Sequence, residues 1–343
     1  MKVGQTGRLL LGGMLGVGLL LLFLRGVQWS ALLAALGSAR KLDLFLVVLI
    51  TAVMYLFRAW RWGYLLAPLA KVPFGHLLSA TIVGFMSGLL VPRAGEILRP
   101  YLVGRRHAVK TSAAFASIIV ERLFDLITVI LLFESYLYLL PMPPQQTRGA
   151  FLDKLRIAGA LVGAGAVAIT IVLALFHAHA ERAMALIDRC LKILPERLAR
   201  PLSDAARAFS KGLGILQAPL SHLAAVAAQS VATWLTIALG IYFNNLAFGL
   251  DLPFHTTFPI IGFLTVGVAV PTPGMVGGFH LAYQLALSEC FGVDKGTAAA
   301  AGIASHALTN LPVLVAGLVC LRGEGLTLGK VAEIASEDED KRP

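Results

Sequence analysis

The run Gly84-Phe85-Met86-Ser87-Gly88-Leu89-Leu90-Val91-Pro92-Arg93-Ala94-Gly95-Glu96-Ile97-Leu98-Arg99 is followed some twenty residues later by Glu121-Arg122-Leu123-Phe124-Asp125. The second piece sits inside Ala113 to Leu140, which is otherwise almost wholly apolar and long enough to cross a bilayer. A charge at the centre of a membrane helix costs about 2.5–3.5 kcal/mol on insertion scales, so three within two turns need internal partners or water. Arg122 and Asp125, three apart on a helix, could neutralise each other as a plain structural pair. That pairing leaves Glu121 and the preceding loop unexplained, and intramembrane charges read by default as a functional site. The first piece belongs to a short apolar segment, His76 to Val91, carrying Gly84, Ser87 and Gly88 and stopped by Pro92. It is short of the roughly twenty residues that cross the hydrocarbon. The loop beyond it carries Arg93, Arg99, Arg105, Arg106 and Lys110. With that loop on the cytoplasmic side, the segment enters and leaves by one face, as a re-entrant hairpin.

Composition points the same way. Of 343 residues, 57% are hydrophobic and 14% charged, with mean hydropathy +0.79, far from a soluble globular balance. One polytopic membrane domain is expected, without room for a large soluble enzyme domain. The net charge of +10 then falls in loops, where it suits the cytoplasmic side and anionic headgroups. No zinc-finger or RNA-binding motif supports a nucleic-acid partner. Cys190, Cys290 and Cys320 are widely spaced and read as free thiols. No metal-ligand spacing, nucleotide loop or nucleophile motif is present, so no cofactor, metal or catalytic residue is expected.

Taken in order, Leu9 to Leu24 is span one, read as a retained helix because no small-residue cleavage site follows it. Leu44 to Trp62 is span two, ending in Arg58-Ala59-Trp60-Arg61-Trp62-Gly63-Tyr64. Such bases and aromatics fit a headgroup-level belt, or a phosphate grip for which the guanidinium fork is well shaped. Ala113 to Leu140 is span three, Ile157 to Phe176 span four, Leu220 to Leu246 span five and Thr297 to Leu321 span six. Between spans four and five, Glu181 to Gln217 shows the apolar spacing of two amphipathic helices at the cytoplasmic interface. Residues 1–325 form the single membrane domain, with 181–217 as an insert, and 326–343 reads as a charged, disordered tail. Placing both termini in the cytoplasm puts 21 of the 29 Lys and Arg on that side, as the positive-inside rule requires.

A second broken segment runs from Thr256 to Val270, through Pro271-Thr272-Pro273-Gly274 and Gly277-Gly278-Phe279-His280, to Phe291. Allowing one insertion, Gly84, Gly88, Pro92 and Gly95 align with Gly262, Gly267, Pro271 and Gly274. Each hairpin precedes a span with polar residues in its first half: Glu121, Arg122 and Asp125 in one, Ser305, His306 and Asn310 in the other. Paired glycine- and proline-broken segments in corresponding places point to a transporter's midplane site. Glu121 and Asp125 share a helix face and would repel each other. Either an arginine lies between them (Arg122, Arg93 or Arg99), or one is protonated, which would permit proton-coupled movement.

The pattern Gly84, Pro92, Gly95, Glu96, Arg99, then Glu121, Arg122 and Asp125, resembles the flippase-like integral membrane family named after the lysylphosphatidylglycerol synthase membrane region. Arg58, Arg61 and Pro271 to Gly278 fit too, so the resemblance covers nearly the whole chain. Two departures stand out. Gly88 occupies a place where many relatives carry asparagine, and His280 and His306 stand near a relative's glutamate and arginine. The resemblance implies an all-α fold of about six transmembrane helices and two re-entrant hairpins in an inverted-repeat arrangement. It implies lipid translocation across the cell (inner) membrane rather than enzymatic work. Arg58, Arg61, Arg93 and Arg99 would capture a headgroup, and Glu96, Glu121, Arg122, Asp125, His280 and His306 would line its midplane path. Gly84, Pro92, Gly95, Pro271, Pro273, Gly274, Gly277 and Gly278 would shape the hairpins. The partners expected are a membrane lipid substrate and a separately encoded lipid-modifying enzyme. The competing expectations are an intramembrane enzyme with Glu121 or Asp125 as base, and a scaffold of a lipid-synthesis complex.

Overall fold

The protein is described by a computed structural model covering residues 29–91, 94–107, 109–140, 150–191 and 218–331, with scattered residues between 14 and 23, between 199 and 210, and at 333. Regular structure among them is helical throughout: α1 (Trp29–Ser38), α2 (Lys41–Leu66), α3 (Phe74–Leu90), α4 (Ala94–His107), α5 (Thr111–Tyr138), α6 (Ala150–Ala178), α7 (Ala180–Leu191), α8 (Leu220–Ala247), α9 (Thr257–Ala269), α10 (Gly278–Phe291) and α11 (Lys295–Gly323). Three of these, α2, α8 and α11, are long and apolar enough to cross a membrane. Helix α5 has the length, at 28 residues, but carries the charged cluster. The segments read as spans two, three, five and six are thus helices with ends shifted by a few residues, and span four, Ile157 to Phe176, lies within α6. Most of span one, Pro92, Arg93 and most of 192–217 lie outside the described residues. Helix α7 matches the first of the two amphipathic helices. Past residue 325, Leu326 and Val331 are buried in the core, so packed chain reaches into the segment read as tail.

These helices are inverted relative to a soluble bundle. On α2, Leu42, Phe45, Leu49, Val53 and Leu56 are exposed, while Thr51, Arg58 and Arg61 are buried. Apolar side chains outward and polar ones inward is the arrangement hydrocarbon solvent demands. Helix α2 packs along α8, and α11 packs on α3, α10 and α1. Two cores result. One joins α2, α3, α4 and α5 through Trp62, Leu65, Val83, Met86, Leu98 and Leu102. The other joins α5, α9, α10 and α11 through Val129, Ile261, Tyr283, Leu287 and Ala298.

Each core is built on a helix pair that crosses at glycines. A Cβ on Gly95 would overlap the Gly84 carbonyl, and one on Gly278 would overlap the Gly267 carbonyl. Only hydrogen side chains allow backbones to approach this closely. The equivalent pairs are therefore Gly84/Gly95 and Gly267/Gly278, each eleven residues apart, rather than the Gly84/Gly262 and Gly95/Gly274 match of the sequence. The second break is the longer one: after α9 it holds a short 3₁₀ turn at 273–275, with Gly274, Met275 and Gly277 at positive φ. Glycine makes two of those three positions free of strain.

Helix α11 begins on an N-cap, Asp294, whose carboxylate accepts from the Thr297 N–H at 2.9 Å. Partial burial opposes ionisation there, but the N–H groups of Thr297 and Gly296 hold the carboxyl below its ordinary range. Its contribution is therefore present at neutral pH and fades as pH falls through the carboxylate range. Asp294→Ala is expected to lower stability by about 1 kcal/mol at neutral pH. The deficit relative to wild type should shrink toward pH 3, as read by thermal unfolding at both pH values.

Candidate functional site

Helix α5 presents Glu121 and Asp125 one turn apart to α2, α4 and α8. Glu121 is fully buried and Asp125 nearly so, and three helices supply their partners. From α2, the fully buried Arg61 donates through Nη1 to Asp125 Oδ1 at 2.6 Å and through Nη2 to Oδ2 at 3.2 Å. The same Nη2 lies 3.1 Å from Glu121 Oε1, so one guanidinium bridges both carboxylates. From α4, Arg99 pairs with Glu121 through Nη1 to Oε1 at 3.3 Å and Nη2 to Oε2 at 3.0 Å. From α8, Ser230 Oγ accepts from Arg61 at 2.8 Å, and the Trp234 indole N–H donates to Asp125 Oδ1 at 2.8 Å. Arg99 also stacks on Trp62, its guanidinium carbon 4.3 Å from the ring centroid, and the Trp62 N–H is held by Ser117 Oγ at 3.1 Å.

The arginine between the carboxylates is thus Arg61, and not Arg122, which the sequence offered along with Arg99 and Arg93. Arg99 takes the other side of Glu121, and two carboxylates against two guanidinia balance in the ionised state. Breaking such a buried network by deleting one member costs about 3–5 kcal/mol, because it strands a charge.

Two further arginines are not consumed in this way. Arg122 is half exposed, 3.7 Å from Glu96 and 3.9 Å from Asp125, distances at which a pair is loose. Arg58 on α2 is 7% exposed yet has no carboxylate within salt-bridge distance among the described residues. Its Nε meets Met54 Sδ at 2.8 Å, its guanidinium carbon sits 4.7 Å from the Phe85 ring centroid, and its Nη1 has no partner. The cluster holds four arginines against Glu96, Glu121 and Asp125, one positive charge in excess. A buried, unpaired guanidinium beside a half-exposed one suits the doubly charged, multi-oxygen face of a phosphate.

His280 on α10 and His306 on α11 form a second cluster, with ring centroids 4.6 Å apart. His306 Nε2 donates to the Gly274 carbonyl at 2.7 Å, and His280 Nδ1 accepts from the Gly277 N–H at 3.4 Å. Both bonds put the proton of the neutral ring on Nε2, and the His306 bond fastens the turn of the second helix pair to α11. Phe23 and Phe279 complete the aromatic surround. The recorded partners of the histidine pair do not include the α5 carboxylates, so the ten expected site residues divide between two places. Seven (Arg58, Arg61, Glu96, Arg99, Glu121, Arg122 and Asp125) meet around α5, two form the histidine pair, and Arg93 lies outside the described residues. Ser230, Trp234, Trp62 and Phe85 joined the site unannounced. The polar stretch Gln229-Ser230 inside an otherwise apolar span was the available signal for the first of them.

The family model described as the lysylphosphatidylglycerol synthase TM region matches residues 9–317. The chain belongs to this family. It is a membrane protein, and both clusters fall within the matched region. It is also similar to a protein named Glycosyltransferase AglD from Haloferax volcanii, with 25% identity over 344 residues, covering 91% of this chain and 54% of that relative. The chain therefore spans about half the length of the curated relative it matches.

Proposed function

We propose that this protein moves an anionic or phosphate-bearing lipid between membrane leaflets, with Arg58 and Arg122 as the headgroup's cationic contacts. The observation that carries this reading is Arg58: a buried guanidinium without a carboxylate partner is an expensive arrangement in a membrane, and a passing anion offsets it. Arg61 and Arg99, engaged by Glu121 and Asp125, hold the wall of the path in shape. The arrangement is one of six spans and two re-entrant hairpins, α3–α4 and α9–α10, inserted from opposite faces of the cell membrane, with termini and basic loops cytoplasmic. The glycine-crossed pairs support the hairpin reading, since both have the same eleven-residue geometry. The protein works without a covalent step of its own, and a separately encoded enzyme makes or uses the lipid.

A second reading takes its support from the relative's name: a glycosyltransferase sharing half its length with this chain points to chemistry on a lipid-linked headgroup. Lipid flux separates the two. Arg58→Met in proteoliposomes is expected to lose at least tenfold in translocation of a labelled anionic phospholipid. Its thermal midpoint should be unchanged or raised, because replacing a buried unpaired cation by an apolar side chain of similar length removes a desolvation cost. Wild-type flux equal to that of empty liposomes for every lipid tried would remove the translocation reading.

A further inference from the structure

The end of the first helix pair away from its break carries a further set of ionisable groups, drawn from three segments. His76 and Ser79 stand in the first two turns of α3, Arg106 and His107 in the last turn of α4, and Glu324 just past α11. His76 Nδ1 and His107 Nε2 are 2.8 Å apart, with ring centroids at 4.9 Å. Ser79 Oγ donates to Glu324 Oε1 at 2.8 Å, and Arg106 Nη2 reaches Oε2 at 3.1 Å. His76 Nε2 lies 3.6 Å from Oε1. Glu324 is buried, and the chain that follows it stays down on the pair. Leu326 and Val331 share a core with Leu77 of α3 and with Leu102 and Val103 of α4. Residues 324–331 form a strap across the ends of both arms.

One bond between imidazoles sets the chemistry. At 2.8 Å, one of the two facing nitrogens carries a proton and the other offers its lone pair. The pair takes up one further proton without loss, because an imidazolium still donates to a neutral ring. A second proton sets N–H against N–H and cation against cation, and the bond is gone. Burial opposes the His76 cation, and of the charged groups acting on it Glu324 favours it while Arg106 and His107 oppose it. The one Glu324 carboxylate already meets the Arg106 guanidinium, so it does not balance two imidazolium ions as well.

We propose that the His76–His107 bond and the strap at 324–331 form a pH-sensitive latch, which holds the first helix pair closed at neutral pH and releases the end of α4 in acid. Helix α4 carries Arg99 seven residues before Arg106, about 10 Å along the axis. Release of its end therefore slackens the arm that brings Arg99 to Glu121. In the orientation proposed above this end faces the cytoplasm, so the acidity it reads is that of the cytoplasm. The latch concerns the closure of a helix pair and is read without any lipid, so it is tested separately from translocation.

The test is amide hydrogen exchange of the detergent-purified full chain at about pH 7.5 and about pH 5, corrected for the intrinsic pH dependence of exchange. The lower value titrates imidazoles while sparing ordinary carboxylates. In wild type, residues 98–107 and 324–331 are expected to exchange roughly tenfold faster at the lower pH, while residues 126–135 of α5 keep their protection. His107→Gln still offers His76 Nδ1 a partner and takes up no second proton, so its protection should be the same at both pH values. His76→Gln is the reciprocal variant and should behave alike. Glu324→Gln leaves Arg106 without its carboxylate and should expose 324–331 already at the higher pH. Equal protection of wild type at the two pH values would overturn the proposal. So would an acid effect of wild-type size in both histidine variants, which would place its origin in another group, or wild-type protection of the strap in Glu324→Gln.

Discussion

Glu121→Gln is expected to destabilise the protein by about 3–5 kcal/mol, the largest effect of any isosteric change in the charged cluster. The substitution keeps the volume and leaves a hydrogen-bond acceptor, so packing is not its cause. What it removes is the charge that stands between Arg61 at 3.1 Å and Arg99 at 3.0 Å, both buried. Asp125 still holds Arg61. Arg99 is left with one neutral amide oxygen and the faces of Trp62 and Phe85, and cation–π contact at a desolvated site returns about 2 kcal/mol at most. Because the deficit arises from a stranded cation, removing that cation as well should recover part of it. The double variant Arg99→Gln/Glu121→Gln is therefore expected to be more stable than the sum of the single effects, with a coupling of about 0.5–3 kcal/mol. Arg122→Gln is the contrast: half exposed and loosely paired, it should stay within about 1 kcal/mol of wild type. Thermal unfolding in detergent reads all four proteins. Equal losses in Glu121→Gln and Arg122→Gln would show that Glu121 is not the centre of the network.

The contrast between those two neighbours marks the limit of what sequence conveys. Glu121, Arg122 and Asp125 are conspicuous in an apolar span, and the need for partners or water there follows from hydropathy alone. Their partners do not. Arg61 lies 64 residues from Asp125 in the chain, and two readings of it, an aromatic belt or a headgroup grip, fitted the sequence equally well. Only the packing of α2 across α5 and α8 puts its guanidinium between the carboxylates and encloses it beyond solvent. Arg58, one turn earlier on the same helix, carries the same side chain and remains without a carboxylate. That difference depends on helix rotation, which a linear pattern does not encode. The helices themselves were legible, since apolar runs stopped by Pro92, Pro141 and Pro271 leave few alternatives.

The glycines illustrate a partial reading of another kind. Broken segments in corresponding places were visible, but matching them by sequence maximised identical letters and paired Gly84 with Gly262. The structure pairs residues by what the backbone does. Gly262 faces Phe133, while Gly267 and Gly278 make the crossing. The two breaks differ in length, so an insertion placed to align prolines displaced the glycines.

From this crossing comes the second large expected effect. Gly95→Ala should lower stability by about 3 kcal/mol, at the upper end of the range for overpacking. The added methyl has no flexible neighbour to displace, because what it meets is the Gly84 carbonyl oxygen and carbon, backbone on a packed helix. Relief requires α3 and α4 to separate, and separation withdraws Arg99, carried on α4, from Glu121. Stability and site geometry are therefore lost together. Gly88→Ala provides the comparison from the facing helix α3: its Cβ would stand 4.0 Å from the Gly95 nitrogen, ordinary contact, and alanine is the better helix former. That variant should be neutral or slightly stabilising. Gly278→Ala at the second crossing meets the Gly267 carbonyl and should match Gly95→Ala in cost while leaving the Arg99–Glu121 pair intact. Melting curves for the three variants, with lipid flux measured alongside, decide the matter. If Gly95→Ala and Gly88→Ala melt together, the close approach of α3 and α4 is not what holds this pair.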